Sequence, residues 1–257
     1  MSSSSSDHPA NSEFIDINAI KSDISNIFNS SKFKPLLIGL TGSIATGKTT
    51  VAQMFMQYCQ ELQNSSNKGD IENTPNRGNI VDIIDFDILS RKAVEPTTKA
   101  LDDIAAYFGS QILDNKGFLD RKALSKIVFQ DSLKKQELEK IVHPAIFRLF
   151  CQELKSICEK IDNEKADSKI KIIAIVPLLI EMNLQTLFDK LIVVYSSSKV
   201  QLQRLMKRES IDNKSAQNMV KSQISIDDKI KYADFLINNS NNIEDTRKQV
   251  KDVWKKL

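Results

Sequence analysis

One octapeptide constrains this chain more than any other stretch. Gly42-Ser-Ile-Ala-Thr-Gly-Lys-Thr49 reads G-x-x-x-x-G-K-T, a phosphate-binding loop pattern. The flanks suit it. Pro35-Leu-Leu-Ile-Gly-Leu40 is a short apolar run of buried-strand type, and Val51, Met54, Phe55 and Tyr58 then recur at helical spacing. Strand, tight loop and helix therefore follow one another, which is the context the pattern needs. Gly42 and Gly47 permit backbone angles that side chains forbid. The loop's N–H groups and the helix N-terminus then point at an anion, so Gly42, Ser43, Ile44, Ala45, Thr46, Gly47, Lys48, Thr49 and Thr50 are the expected nucleotide-binding positions. Lys48 should reach the β- and γ-phosphates, and the Thr49 hydroxyl should ligate Mg²⁺. Glycine is scarce, 7 residues in 257, yet three fall between positions 39 and 47. The bland alternative is a strand-to-helix turn with no ligand, and both flanks weigh against it.

Length and charge narrow the class. A chain of 257 residues can build one sizeable core with an inserted subdomain. A net charge of +3 does not argue for a nucleic-acid partner. Cys59, Cys151 and Cys158 form no C-x-x-C and leave an odd count, which suits buried thiols in a reducing compartment. His8 and His143 are too few for a histidine-based metal site. No run of 18 apolar residues occurs, so no membrane span is expected. The N-terminus has neither a basic segment followed by an apolar one nor an Arg-rich, acid-poor composition. A cytoplasmic location is the default expectation, with docking on an organelle surface left open.

Along the chain, residues 1–12 are low in complexity. Ile17, Ile20, Ile24, Ile27 and Phe28 then fall on one helical face over 13–28, after Ser12 as a candidate cap. That helix either packs on its own domain or serves as a docking arm for a partner. Residues 63–79 read as a polar surface insertion. Ile80–Ile84 is a second strand ending at Asp85-Phe-Asp87, and helical patterns follow at about 87–94, 98–108 and 121–130. A long one covers 134–159, with Pro144 expected to end or kink it near His143. Ile170–Val176, Leu191–Tyr195 and Phe235–Ile237 read as strands, 198–208 as a basic helix and 243–255 as a closing helix. Strands alternating with helices give an α/β fold with a parallel sheet. A helical block over about 97–160 is inserted between the second and third strands, placed to cover an acceptor.

A phosphotransferase needs more than the loop. It needs Mg²⁺ ligands, a base for the acceptor, cations on the transferring group and exclusion of water. Asp85 and Asp87 close the second strand, where ligands bind in open α/β sheets. Two apart in an extended segment, they should point the same way. Asp87 could equally be a plain helix cap. Arg204, Lys207 and Arg208 run along one basic stretch, and the polar residues up to about 228 have the character of a lid. A solvated helix face is the ordinary reading of such charge. Two decoys also occur: Asn67-Lys-Gly-Asp70 and Asp114-Asn-Lys-Gly117 spell guanine-nucleotide motifs. Their order is reversed and the first lies in the insertion, so both are best read as turns.

Beyond the loop, several blocks resemble the dephospho-coenzyme A kinase family. They are Asp85-Phe-Asp87 with Arg91 and Val94-Glu-Pro96; Phe108-Gly-Ser-Gln-Ile-Leu113; Gly117-Phe-Leu-Asp-Arg-Lys-Ala-Leu124; His143-Pro144; Pro177-Leu-Leu-Ile-Glu181; Gln201-Leu-Gln-Arg-Leu-Met-Lys-Arg208; Gln223 with Lys229 and Ala233-Asp234; and Asn239. Their order and spacing match over roughly 36–255. The resemblance implies ATP-dependent phosphorylation of the ribose 3′-hydroxyl of dephospho-CoA, with a P-loop kinase core over 34–257, a helical acceptor-binding subdomain and a lid over about 204–228. It implies Asp87 as the proton acceptor, Lys48 and Arg204 in catalysis, Arg208 on the nucleotide, and Asp85, Arg91, Arg121 and His143 around the acceptor. ATP and Mg²⁺ are the implied cofactors. The extension over 1–33 has no counterpart in the family and leaves room for association with other CoA-synthesising enzymes.

There are departures. Family loops often read G-G-I-G-S-G-K-S-T, and here Ser43, Ala45, Thr46 and Thr49 replace four of those residues with small ones. Phe86 stands where the family often has Ala. Ile175 stands where some members carry Asp, so Mg²⁺ would depend on Thr49, Asp87, phosphates and water. Two other readings compete. A nucleoside-monophosphate-type kinase would share the core, but the blocks around Arg121 and His143 speak against it. A nucleotide-binding switch would favour GTP.

Overall fold

Five runs of the chain carry apolar residues in the short, continuous form that suits a strand buried on both faces. The structure, a computed structural model, describes residues 15–66, 80–163 and 170–257. All five runs are strands. β1 (Leu36–Thr41), β2 (Ile80–Asp85), β3 (Ile170–Ile175), β4 (Lys190–Tyr195) and β5 (Phe235–Asn238) form one parallel sheet in the order β2-β3-β1-β4-β5. Successive residues of β3 face opposite ways. Ile172 and Ala174 join a buried cluster with Leu37, Ile84 and Leu191, whereas Ile173 and Ile175 join another with Ile38, Leu40, Ile192 and Val194.

Helices cover both faces. On one side lie α2 (Lys48–Ser66) and α10 (Ile243–Trp254), where Phe55 and Trp254 pack with ring centroids 6.3 Å apart. Lys171 interrupts the apolar run of β3. It is 4% exposed, and its ammonium lies 4.1 Å from the centre of the Trp254 ring, a cation–π contact that helps a buried charge to be tolerated. The other face carries α1 (Ile17–Ser30), α3 (Phe86–Lys92), α4 (Lys99–Phe108), α5 (Arg121–Gln130) and α6 (Ser132–Asn163). Helices α4 to α6 fall between β2 and β3 in the chain. Their residues Ile104, Leu124, Ile146 and Phe150 join the same cluster as Ile84 and Ile172, so the helical block shares the core of the sheet.

Two expectations need correction. First, α6 does not end at Pro144; it runs through it to Asn163. A proline inside a helix costs about 3 kcal/mol. Val142 before it and Ile146, Phe147 and Phe150 after it lie on one face packed into one cluster, and burying each large apolar side chain returns about 1.5–3 kcal/mol. Second, α1 begins at Ile17 and is capped by Asp16, whose carboxylate accepts from the Ala19 N–H at 2.9 Å. Ser12, the expected cap, lies outside the described residues. The polar segment after Glu209, read as a lid, is helical. It forms α8 (Asn213–Lys221) and α9 (Ile226–Ile230), following α7 (Ser198–Glu209). Asp212 and Ser225 cap the two short helices.

Helix α1 packs on its own chain. Ile24 and Phe28 are buried against the α6 side of the core. Just beyond the helix, the Ser31 hydroxyl and the Lys32 N–H both donate to Asp162 near the end of α6, each at 3.0 Å. The Asp114–Gly117 decoy is a turn. Asp114 accepts from the N–H groups of Lys116 and Phe118, and Gly117 takes φ +79°. The Asn67–Asp70 decoy and residues 67–79 of the insertion lie outside the described residues.

The packing gives a direct expectation. The Phe150 ring is fully buried, 5.0 Å from Phe86 of α3. Phe150→Ala should lower stability by about 3–5 kcal/mol in chemical denaturation. A loss below about 1 kcal/mol would contradict this account of how α6 is held.

Candidate active site

The chain reverses its direction across the sheet at β1, which lies between β3 and β4. Ligands bind at such a switch point, beyond the carboxyl ends of the strands. The P-loop leaves β1 there. Two of its glycines are sterically required. A Cβ on Gly42 would meet the Val194 carbonyl at 2.4 Å, and one on Gly47, at φ +93°, would meet the Asn239 amide at 2.2 Å. Ala45 also takes a left-handed backbone, φ +60°. A glycine would adopt that backbone shape without strain. Alanine there costs about 1–2 kcal/mol of strain.

Side chains from three later elements hold the loop. Gln201 of α7 donates to the Ile44 carbonyl at 2.7 Å, and Gln223, after α8, accepts from the Ile44 N–H at 2.8 Å. The Asn239 amide, just past β5, donates to the Thr46 carbonyl at 2.9 Å. Ser196, just past β4, lies beneath, with its hydroxyl 3.4 Å from the Thr46 carbonyl. Gln201, Gln223 and Asn239 stood in the family blocks without a role. Their signal was weak: amides among charges in otherwise polar stretches.

Lys48 opens α2, and its ammonium donates to the Gly42 and Ser43 carbonyls, both at 3.0 Å. Burial, and then the nearby Lys229 ammonium, push it down to about 8, against the pull of Asp87. The two aspartates are not side by side as an extended segment would place them. Asp85 ends β2 and caps α3, accepting from the Asp87 N–H at 2.8 Å, whereas Asp87 is exposed in the first turn of that helix. So Asp85, and not Asp87, is the cap. Burial raises the Asp85 carboxyl above the usual carboxylate range. Thr49 and Thr50 are exposed at the mouth of the loop.

The basic stretch divides. Arg204 is half-buried and donates to the Asn239 carbonyl at 2.9 Å and the Ser196 hydroxyl at 3.0 Å, with the Thr46 carbonyl at 3.5 Å. It braces the loop. Arg208, one turn on, is exposed and paired with Glu209 at 2.8 Å, and its charge is felt at Lys48.

On the other side of α3 lies a cavity of about 320 Å³. Arg121 of α5 and His143 of α6 line it together with Ser90 of α3 and Glu139. Arg91, in the last turn of α3, is exposed and outside that lining. The His143 Nδ1 is buried and makes no hydrogen bond among the described residues. Burial, with a smaller contribution from Lys135, pushes the imidazole down to about 4, so it is neutral near pH 7.

Two measurements follow from this geometry. Ala45→Gly should relieve the left-handed strain and raise stability by about 0.5–1 kcal/mol, because the added freedom of the unfolded chain offsets part of the gain. A destabilised variant would place Ala45 in a different backbone conformation. As for His143, its folded value of about 4 lies below the free value of 6.5. The unfolded chain therefore takes up the proton first, and stability present above pH 6.5 is lost as pH falls towards 4. The stability difference between wild type and His143→Gln should shift against the wild type through that window. A difference that does not change with pH would rule out a buried neutral imidazole.

Comparisons with known proteins identify the family. The dephospho-CoA kinase family model matches residues 73–245. A dephospho-CoA kinase of Listeria monocytogenes is 38% identical over 213 residues, 83% of this chain and 92% of its own. One of Oceanobacillus iheyensis is 36% identical over 221 residues, 86% of this chain and 97% of its own. The Thermus thermophilus protein TT1252 has the same fold, with a TM-score of 0.64 at 24% identity over 87% of this chain and 98% of its own. The family model covers well over half of the chain, and the relatives align over more of it still. This chain belongs to the dephospho-CoA kinase family.

Proposed function

We propose that the chain transfers the γ-phosphoryl group of ATP to the ribose 3′-hydroxyl of dephospho-CoA, giving CoA and ADP. One observation carries the reading: a half-buried P-loop lysine feels the charge of the exposed Asp87 carboxylate at the carboxyl edge of the sheet, and Ser90 of the same helix lines the cavity that holds Arg121 and His143. The P-loop N–H groups and Lys48 take the phosphates of the nucleotide. Arg208, exposed and near Lys48, faces the same phosphates.

The acceptor hydroxyl is a poor nucleophile until its proton has somewhere to go. Asp87 takes that proton on a carboxylate oxygen as the oxygen of the hydroxyl attacks the γ-phosphorus and the bond to the β-phosphate oxygen breaks. Asp85 fixes the turn that presents Asp87 through the Asp87 N–H. Arg121 supplies positive charge at the mouth of the acceptor cavity, and the neutral His143 offers a polar edge on its wall. Arg204 acts on the reaction by bracing the P-loop.

The donors present suit Mg²⁺. The Thr49 hydroxyl and the Asp87 carboxylate are exposed hard oxygens. Among the described residues no group of three His, Cys, Asp or Glu forms a metal cluster. This ion is usually held by one or two carboxylates, substrate phosphates and water. When bound, it would neutralise charge on the β- and γ-phosphates.

No helix among the described residues is long and apolar enough to cross a membrane. A cytoplasmic location fits that observation and the substrate. Because the apolar face of α1 is packed on its own chain, association with other CoA-synthesising enzymes would have to use the helix's exposed side.

ADP release is the direct test. Dephospho-CoA should stimulate it in the presence of Mg-ATP and be converted to CoA. Asp87→Asn should fold normally and lose about 10²–10⁴-fold in rate. Arg121→Ala should raise KM for dephospho-CoA and leave KM for ATP unchanged. If the wild type binds ATP but ignores dephospho-CoA, the acceptor assignment fails.

A further inference from the structure

Helix α6 is a wall between two cavities. On one side Val142, His143 and Ile146 line the acceptor cavity. On the other, α6 faces α1 across a cavity of about 370 Å³, lined by Ile15 and Ile20 around the start of α1 and by Pro144 and Phe147 of α6. His143 and Pro144 are neighbours in the chain, so the two cavities flank the same turn of the helix. That turn lacks a rung. Pro144 has no N–H to offer the carbonyl four residues back, and its ring crowds that carbonyl. A turn with a missing rung and space on both sides takes its position from whatever packs against it.

What packs behind it is α1. Ile15 is buried in the same cluster as Phe147, and Ile20 packs against that cluster. Farther along, Ile24 and Phe28 are buried in it too, and Asp162 accepts from the Ser31 hydroxyl and the Lys32 N–H, each at 3.0 Å. The helix is thus fixed at its far end and lays its first turns beside the Pro144 turn. Phe147 carries the packing inward. Its ring lies edge-on to that of Phe86, with centroids 5.7 Å apart, and Phe86 is the residue before Asp87. Close-packed interiors transmit displacement. A contiguous run of apolar side chains therefore links α1 to the wall of the acceptor cavity and to the short helix that carries Asp87.

We propose that Ile15 and Ile20 are positioning residues for the acceptor: they back the Pro144 turn and so set where His143 and its neighbours stand in the cavity. The inference rests on the kinase reading above. The nucleotide end is spared, because α2, which follows the P-loop, packs into the cluster on the opposite face of the sheet. The start of α1 thus acts on acceptor binding and leaves ATP binding alone.

The test joins steady-state kinetics to amide hydrogen exchange, both on the full chain. In Ile15→Ala/Ile20→Ala, KM for dephospho-CoA should rise about threefold or more while KM for ATP keeps its wild-type value. Ile15→Val/Ile20→Val keeps most of the apolar volume and should bring KM for dephospho-CoA back. A helix that only adds stability would lower the active fraction, and with it kcat, and leave both KM values unchanged. In the wild type, dephospho-CoA should slow exchange over residues 17–24, although its cavity lies on the far side of α6, and Mg-ATP alone should not. If the double alanine variant does not fold, the wild-type exchange decides. Unchanged KM values in a folded variant, an equal rise in both, or α1 amides indifferent to dephospho-CoA would overturn the inference and leave the kinase reading intact. A wild type that does not bind dephospho-CoA would overturn the kinase reading itself.

Discussion

The carbonyl of Thr46 is the point on which the nucleotide end of the molecule depends. Asn239 from the end of β5 donates to it at 2.9 Å, with Arg204 and Ser196 converging on it from α7 and the end of β4. Ile44 is fixed on both its polar groups by Gln201 and Gln223. Within the loop itself, the Thr46 hydroxyl and the Lys48 ammonium hold the Ser43 carbonyl. The rest of its shape comes from the outside contacts, and two glycines leave the room for them. The sheet supplies the geometry, since parallel strands bring all their carboxyl ends to one edge.

That edge separates two kinds of chemistry. On one side lie the loop and Lys48, with the charge of Arg208 felt at that lysine. On the other, α3 presents Asp87 next to a cavity between α5 and α6. Helix α3 belongs to both, with Asp87 exposed in its first turn and Ser90 lining the cavity. It has only seven residues and is capped by Asp85. Phe86 buries its ring against Phe147 and Phe150 of α6 and ties that short helix to one wall of the cavity.

Much of this was legible in the sequence because strong signals coincide. Five continuous apolar runs give five strands, and the G-x-x-x-x-G-K-T pattern lies where a strand becomes a helix. The misses have physical causes. Pro144 reads as a helix end because local propensity cannot see a common buried face on both sides of it. Asp85 and Asp87 read as one face because an extended period was assumed two residues too far. Helices α8 and α9 were invisible because all but a few of their residues are polar and exposed. They are held by caps and by Lys229, and a buried lysine looks like any surface lysine in a sequence. Arg204 and Arg208 read alike as lid cations, yet the four-residue step between them takes one onto the loop backbone and leaves the other in solvent.

The anchoring of the P-loop also orders events during synthesis. The ribosome makes Gly42–Thr49 early, but Gln201, Arg204, Gln223 and Asn239 emerge last, and Asn239 lies 193 residues beyond the carbonyl it holds. A nascent chain that has already folded β1 and α2 still lacks the groups that shape its loop. A fragment ending before β5 would carry the full motif without the Asn239 amide that holds the Thr46 carbonyl.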